Sequence, residues 1–213
     1  MRLIFSCLFA ASAIVGLPAT TWAFFPTFAR EVGGVGIGHP TITRNAIEQV
    51  LSQAYGITKT TKSIDDAIEA ICKGNTLVDE DQVASSKHFD GENFLGGQER
   101  VAYERDFSIT AAEKGQLSSA RLALGAALHP LQDFYSHSNW VDLGNSSPLD
   151  LLTNPGRTQD ELLASLDRWK ALQGPRETRT CQGCGASLLA TCAYDCSSNL
   201  ITTGLTSGYY GGE

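Results

Sequence analysis

The sequence predicts an all-α fold, a helical bundle with long loops. In several segments of the 213-residue chain, apolar residues recur at the three-to-four-residue spacing of amphipathic helices. No stretch of useful length alternates apolar and polar residues as a half-buried strand does, and no internal repeat is visible. About 190 residues remain after removal of an export signal, enough for one domain with a sizeable core.

Four helices are predicted from the apolar spacing. The first is closed by a glycine, and the second begins at Ser63 as its N-cap. The segment 75–97 is expected to form a short helix and a polar loop, and a short helix is expected after the C-terminal cysteines. The predicted helices span residues 41–56, 63–74, 110–140 and 159–172. The third is the longest and forms the centre of the predicted bundle.

The N-terminus has the composition of an export signal. Arg2 precedes an uncharged apolar run over residues 3–17, which is too short to span a bilayer. Residues 21–23, Thr-Trp-Ala, place small side chains at the minus three and minus one positions of a signal-peptidase site. We therefore expect a signal peptide over residues 1–23 and a mature protein that begins at Phe24.

The mature chain, residues 24–213, is predicted to be one secreted domain, extracellular or periplasmic. It has no segment of the roughly 18 apolar residues that a transmembrane helix needs. The formal charge of the whole sequence is −7. This acidic balance disfavours broad nucleic-acid binding, which depends on Lys and Arg side chains that neutralise phosphates.

Five cysteines remain after cleavage, and an oxidising compartment favours their pairing in disulfides. The odd number leaves one thiol over. A zinc knuckle formed by the two closely spaced C-terminal pairs is the alternative. The five are Cys72, Cys181, Cys184, Cys192 and Cys196.

The central helix carries three metal-ligand side chains on one face. His129, Asp133 and His137 are four residues apart, and at about 100° per residue each step of four drifts by only about 40°. A polar stripe on an apolar helix is costly to bury unless a cation satisfies it, and imidazole and carboxylate suit Zn²⁺. The alternative is a hydrogen-bonded polar seam between helices. Pro130 predicts a kink beside the stripe.

The two remaining histidines lie in weaker motifs. His88 opens a His-Phe-Asp sequence that follows an acidic stretch, and His39 stands at the entry to the first helix. A lone loop histidine is more often exposed than a ligand, but all four histidines of the chain fall in ligand-like contexts. We therefore predict that five side chains converge in the fold: His39, Asp79, His88, His129 and Asp133.

Four segments carry a resemblance to a known family. They are residues 39–47 (His-Pro-Thr-Ile-Thr-Arg-Asn-Ala-Ile), 87–90 (Lys-His-Phe-Asp), 127–144, which contains the histidine-aspartate stripe, and 205–211 (Leu-Thr-Ser-Gly-Tyr-Tyr-Gly). Together they resemble the Het-C heterokaryon-incompatibility family over most of the mature chain. That family is similar in arrangement to zinc-dependent phospholipases C and single-strand-specific zinc nucleases. The resemblance implies a helical bundle of the zinc-dependent phospholipase C type.

The resemblance also implies zinc ligands. One zinc ion would be bound by Asp79, His88, His129 and Asp133, with Asp81 as the alternative to Asp79. A second ion, bridged to the first through Asp133, would be bound by His39 and by the free amine and carbonyl of Phe24.

A third ion would need His137 and a further His-x-x-x-Glu pair, which this sequence lacks. Two zinc ions are therefore expected, and a third is doubtful.

Two zinc ions imply a phosphoesterase. Paired cations lower the pKa of a bridging water to about 7 and hold the phosphate oxygens, and Asp79 would orient the attacking water as the catalytic residue. The acidic surface favours phospholipid head groups over single-stranded nucleic acid among phosphodiester substrates. The alternative is a non-catalytic Het-C recognition domain in which zinc is structural; a catalytic zinc would keep one position for water.

Overall fold

The computed structural model describes residues 38–81, 83–141, 143–154, 158–173, 204, 205 and 207. Its helices are α1 (His39–Tyr55), α2 (Lys62–Thr76), α3 (Ser85–His88), α4 (Phe94–Glu113), α5 (Leu117–His137) and α6 (Gln159–Gln173). Short 3₁₀ turns cover Leu77–Glu80, Asp90–Glu92 and Asp150–Leu152. The described part has no strand beyond an isolated bridge between Ser138 and Ser207. The prediction of an all-α fold is confirmed.

The ends of the first two helices follow from their local sequence. Gly56 ends α1 with φ of 67°, a left-handed conformation that glycine adopts without cost, and its N–H reaches the last carbonyls of the helix. At the start of α2, the Thr61 hydroxyl accepts a hydrogen bond from the backbone N–H of Ile64 at 3.4 Å. Thr61 is therefore the N-cap, and the prediction of Ser63 was wrong by two residues.

The predicted central helix over residues 110–140 is two helices. The chain turns at Gly115, which has φ of 74° and separates α4 from α5. The helix α4 extends back to Phe94, where Asn93 caps it by accepting a hydrogen bond from the N–H of Gly96. Its buried face includes the polar residues Gln98, Glu104 and Ser108, which interrupt the apolar pattern.

The core lies on one side of α5, which packs against both α2 and α4. Its centre is aromatic: the rings of Phe94 and Trp169 stack with centroids 4.9 Å apart, and Phe134 meets Phe89 edge to face at 5.4 Å. All four side chains are at most 2% exposed. We call Phe89, Phe94, Phe134 and Trp169 the aromatic core. Aromatic pairs in these geometries contribute about 0.5–1.5 kcal/mol beyond burial.

A buried glutamine ties α6 to the core. The Gln98 carbonyl oxygen accepts hydrogen bonds from the Ser165 hydroxyl at 2.6 Å and the Trp169 indole at 3.0 Å. Its amide nitrogen donates to the backbone carbonyls of Leu151 and Asn154. This fully buried side chain therefore has both ends satisfied, as burial of an amide requires.

Two glycines let α2 and α5 cross at close range. A Cβ atom on Gly125 would lie 2.0 Å from the Ile71 carbonyl oxygen, and one on Gly74 would lie 2.1 Å from the Leu122 carbonyl oxygen. Any larger residue at either position would push the helices apart. The crossing brings the last turn of α2 against the turn of α5 that precedes His129.

Several sequence predictions fall outside the described residues. These are the signal peptide over residues 1–23, the mature terminus at Phe24, the last short helix and four of the five mature cysteines. The fifth, Cys72, is a buried thiol whose sulfur lies 3.4 Å from the Pro40 carbonyl oxygen. Among the described helices, none combines the length and the apolar character needed to cross a membrane.

Candidate metal centre

The structure brings the five predicted side chains together around Asp133. His39 opens α1, Asp79 lies in the 3₁₀ turn after α2, and His88 ends α3, while His129 and Asp133 face the same side of α5. The three histidines and Asp133 are at most 3% exposed. We call His39, Asp79, His88, His129 and Asp133 the His–Asp cluster.

Each oxygen of Asp133 faces histidine nitrogens. The Oδ2 atom lies 2.8 Å from Nδ1 of His88 and 2.9 Å from Nε2 of His129. The Oδ1 atom lies 3.2 Å from Nε2 of His39. The His88 and His129 nitrogens are themselves 3.2 Å apart, and Oδ1 of Asp79 lies 3.4 Å from Nε2 of His129.

Two overlapping triads meet the spacing that a metal ion requires. His88, His129 and Asp133 form one, and His39, Asp79 and His129 form the other; within each, the potential ligand atoms lie within 4.8 Å of one another. The donors of a tetrahedral zinc ion, with bonds of about 2.0–2.2 Å, are about 3.4 Å apart. The three separations in the first triad are 2.8, 2.9 and 3.2 Å. This triad is therefore close to ligand geometry.

Each clustered histidine has an inner ring nitrogen that faces Asp133 and an outer one that points away from it. Each outer nitrogen lies within hydrogen-bond distance of an oxygen acceptor. Nδ1 of His129 lies 3.0 Å from the Asn75 side-chain carbonyl, and Nε2 of His88 lies 3.0 Å from the backbone carbonyl of Asp81. Nδ1 of His39 lies 2.7 Å from the Gln132 side-chain carbonyl. A carbonyl oxygen only accepts, so each outer nitrogen donates. In a neutral ring, the inner nitrogen then has a lone pair directed at the cluster.

Burial and charge set the ionisation of the metal-free cluster. Burial alone would raise the pKa of Asp133, but His129, His137 and His39 hold that pKa well below its usual value. Burial opposes protonation of His88, but Asp133 outweighs it and raises the pKa of His88 to about 9. For His129, burial prevails and lowers the pKa. Asp133 is therefore an anion that attracts cations, either protons or a metal ion.

Phe89 positions the loop that supplies His88. Its backbone is left-handed, with φ of 55°, which is uncommon for a bulky residue. The ring is fully buried in the aromatic core and lies against Gly97, where an added Cβ would be 2.6 Å from the ring. Core packing thus fixes the turn that directs His88 and Asp90, on either side of Phe89, toward α5.

His137 joins the cluster from its edge. Its Nδ1 lies 3.0 Å from Oδ1 of Asp90, and its Nε2 lies 3.9 Å from Oδ1 of Asp133. Burial opposes protonation of His137, but Asp133 and Asp90 raise its pKa. It belongs to neither triad. The segment that holds Asp90 is fastened by Ser207, whose hydroxyl accepts the backbone N–H of Glu92 at 3.0 Å.

Sequence reasoning missed four polar residues around the cluster: Thr43, Asn75, Asp90 and Gln132. Thr43, Asp90 and Gln132 lie inside the segments 39–47, 87–90 and 127–144, and Asn75 begins the segment 75–97. Thr43, Asn75 and Gln132 were passed over because a ligand search looks for His, Asp, Glu and Cys, and Asp90 was passed over because only its neighbour His88 was taken as a ligand. The alternative of Asp81 for Asp79 is not supported by the geometry, because the Asp81 carboxylate binds Lys87 at 2.8 Å.

Residues 45–212 match the profile of the VWA7 N-terminal domain. The chain belongs to this family. It is similar to von Willebrand factor A domain-containing protein 7 from Rattus norvegicus, with 37% identity over 126 residues, and from Mus musculus, with 38% over 126 residues. The Homo sapiens protein of the same name is 37% identical over 125 residues. Each alignment covers 58% of this chain but only 12% of the relative. No solved structure matches the chain.

The family match overturns the Het-C interpretation. The matched profile and all three relatives are VWA7 proteins. A phosphoesterase of the phospholipase C type that acts on phospholipid or other phosphodiesters and a Het-C recognition role were inferred with that resemblance, and those inferences were wrong. Secretion was inferred from the signal-peptide pattern of residues 1–23 and stays a prediction. The segments behind that resemblance are short and centred on histidines and aspartates at ligand spacing, a pattern that unrelated families share, whereas the VWA7 relatives align over 125 or 126 residues, 58% of the chain. The catalytic role of Asp79 was predicted for that phosphoesterase alone.

Proposed function

We propose that this VWA7 N-terminal domain binds a zinc ion in the His–Asp cluster and that the ion holds the helices together. The observation that carries the proposal is the convergence of His88 Nδ1, His129 Nε2 and Asp133 Oδ2 within 3.2 Å of one another. Asp79 Oδ1 lies 3.4 Å from the His129 nitrogen but belongs to the second triad, and we propose that its side chain turns toward the ion as the fourth donor.

The hydrogen bonds outside the cluster favour a cation inside it. His88 and His129 each donate their outer N–H to a carbonyl oxygen, so in the neutral form their inner lone pairs face the carboxylate of Asp133. Lone pairs that meet at 2.8 and 2.9 Å in a buried site repel one another unless a cation lies between them. A metal ion satisfies all three atoms at once.

Ligand type and charge favour zinc. Mg²⁺ and Ca²⁺ prefer sites made of oxygen ligands, whereas zinc is commonly bound by histidine nitrogen together with carboxylate oxygen. The two carboxylates of Asp79 and Asp133 balance the two charges of Zn²⁺. A neutral assembly is the one that a buried position tolerates best.

The geometry supports one ion in the described residues. Nε2 of His129 belongs to both triads, and one nitrogen lone pair binds one ion. The second zinc of the sequence prediction would take Phe24 as a ligand, which lies outside the described residues. That second ion remains a prediction.

The proposed role of the ion is to fasten a loop-rich segment to the bundle. Asp79 and His88 belong to a stretch of short helices between α2 and α4, whereas His129 and Asp133 belong to the long helix α5. An ion bound to all four would join this stretch to the bundle centre. Metal ligation of this kind contributes directly to folding free energy.

Zinc calorimetry on the chelator-stripped mature protein tests the proposal. We expect one equivalent of zinc to bind, and Asp133→Asn to abolish binding. The control is Asp167→Asn, because the side chain of Asp167 is 79% exposed on α6, and this variant should bind as the parent does. The proposal fails if the parent takes up no zinc or if Asp133→Asn binds it equally well.

A further inference from the structure

The backbone of Asn75 is pressed against α5 at the helix crossing. Asn75 is fully buried in the last turn of α2 and follows Gly74. A Cβ atom on Gly125 would lie only 2.5 Å from the Asn75 backbone nitrogen. Gly125 and His129 are four residues apart, about one helical turn. The close crossing therefore sets the Asn75 side chain beside the His129 ring.

The hydrogen bonds of Asn75 fix which way its amide points. Oδ1 lies 3.0 Å from Nδ1 of His129, while Nδ2 donates to the Thr43 hydroxyl at 3.0 Å and to the Gln132 carbonyl at 3.2 Å. A reversed amide would set two carbonyl oxygens, those of Asn75 and Gln132, against each other. It would also set an N–H₂ group against the Nδ1 of His129.

The Thr43 hydroxyl holds the side-chain amides of Asn75 and Gln132 in place. Its hydroxyl oxygen accepts from Nδ2 of Asn75 and, at 2.9 Å, from Nε2 of Gln132. Gln132 is thereby oriented with its carbonyl toward Asn75 and His39. Thr43 is itself fully buried, so water does not replace these bonds.

We infer that Asn75 is a positioning residue of the metal centre, which keeps the His129 proton on Nδ1 and so leaves Nε2 as the ligand atom. This inference rests on the zinc-binding function proposed above. A neutral imidazole has one N–H, and the acceptor that binds it decides which nitrogen has the lone pair. Nε2 of His129 is the nitrogen that faces Asp133, His88 and Asp79.

An amide fits this position better than a carboxylate for reasons of charge. Zn²⁺ with Asp79 and Asp133 is already neutral, so a third carboxylate would add a buried negative charge. An aspartate at position 75 would nevertheless keep an acceptor for the His129 N–H. Asn75→Asp therefore separates the acceptor role from simple packing, since Asn75→Ala loses the acceptor.

The experiment combines zinc titration with ¹⁵N NMR of the histidine rings. In the zinc-loaded parent we expect His129 to bind through Nε2 with its proton on Nδ1, and His88 to bind through Nδ1. Asn75→Ala should weaken zinc binding by about 10–100-fold, the usual effect of losing a partner of a ligand histidine. Asn75→Asp should keep the Nδ1 proton and recover part of the affinity, because its second oxygen faces the Gln132 carbonyl where Nδ2 of Asn75 donates.

A second, milder pair of variants tests the inference if the Asn75 variants fail to fold. Thr43→Val removes the hydroxyl that orients the amide, and Thr43→Ser keeps it. We expect the valine variant to show a mixture of the two neutral His129 tautomers, with the proton on Nδ1 in some molecules and on Nε2 in others. The serine variant should resemble the parent.

The outcomes separate this inference from the proposed function. If the parent binds zinc but Asn75→Ala and Thr43→Val keep its affinity and its His129 tautomer, Asn75 has no positioning role. If the parent binds no zinc, the proposed function fails. The His129 tautomer is then read by ¹⁵N NMR in the metal-free protein, and a His129 proton on Nε2 overturns the inference.

Discussion

The two sides of α5 border regions that are stabilised in different ways. Phe134 packs against other rings in the aromatic core, whereas His129 and Asp133 lie in a cluster of buried histidines around one carboxylate. The aromatic core needs nothing beyond the chain. Under the zinc proposal, the His–Asp cluster binds a metal ion as well. If the zinc proposal holds, one helix carries a core that needs no ligand and a site that depends on one, a single residue apart.

The largest effect should come from the core and should not depend on zinc. Phe134 is fully buried and contacts Phe89, Phe94 and Trp169. We expect Phe134→Ala to lower the free energy of unfolding by about 3–5 kcal/mol, equally with zinc and with chelator. Urea denaturation measures it. Phe107→Ala, at a 45% exposed position, is the control; a Phe134 effect that vanished on chelation would contradict the separation of the two regions.

The second-largest loss of stability is expected from a substitution of the central carboxylate, Asp133. Asp133 is 1% exposed and faces three histidines. Removal of one partner from a buried charged set costs about 3–5 kcal/mol, and we place Asp133→Asn at the low end because the amide retains the shape and some hydrogen bonds. Unlike Phe134→Ala, it should also abolish the difference between zinc and chelator in the melting temperature. A variant that still melts higher with zinc would show that the ion binds elsewhere.

His137 should matter less than Asp133. Its Nε2 is 3.9 Å from Asp133, and it lies outside both triads. We expect His137→Ala to cost about 1–2 kcal/mol, a typical loss for one buried contact set, and to leave zinc stoichiometry unchanged. Metal analysis of the purified variant checks this. Loss of the ion in His137→Ala would make His137 a ligand and enlarge the centre.

The last effect is a pH dependence of the stability and requires no substitution. The pKa of His88 is raised from 6.5 to about 9, so in the metal-free protein its stabilisation is fully present below pH 6.5 and is lost as the pH rises through about 9. A zinc-bound His88 has no inner proton to lose. The stabilisation by zinc should therefore grow between these pH values, whereas the Phe134→Ala effect should stay constant. Melting curves with zinc and with chelator test it, and parallel curves would contradict the ligand role of His88.

Local sequence patterns predicted that helices occur better than they predicted where each helix begins and ends. The glycine at position 56 and the apolar spacing of α6 gave the correct elements, because they depend on residues near in sequence. The break at Gly115 was missed, because an apolar stripe seems continuous when both helices bury the same kind of residue. The helix α4 was missed because its buried face includes Gln98, whose partners on α6 are 67 and 71 residues away.

The sequence predicted which side chains form the candidate site but not how they are arranged in space. Histidine and aspartate at four-residue spacing identify one face of α5, and rarity identifies His39 and His88. Nothing in the sequence gives the close crossing at Gly74 and Gly125 or the amide of Asn75 beside His129. Those depend on packing between elements about 50 residues apart, which local pattern does not encode.

The most direct test of the account is a crystal structure of the zinc-loaded mature protein with anomalous diffraction measured on both sides of the zinc absorption edge. The account predicts one strong anomalous peak at about 2.0–2.2 Å from His88 Nδ1, His129 Nε2 and Asp133 Oδ2, with the aromatic core unchanged. A well-ordered cluster without an anomalous peak, in crystals grown with excess zinc, would contradict it.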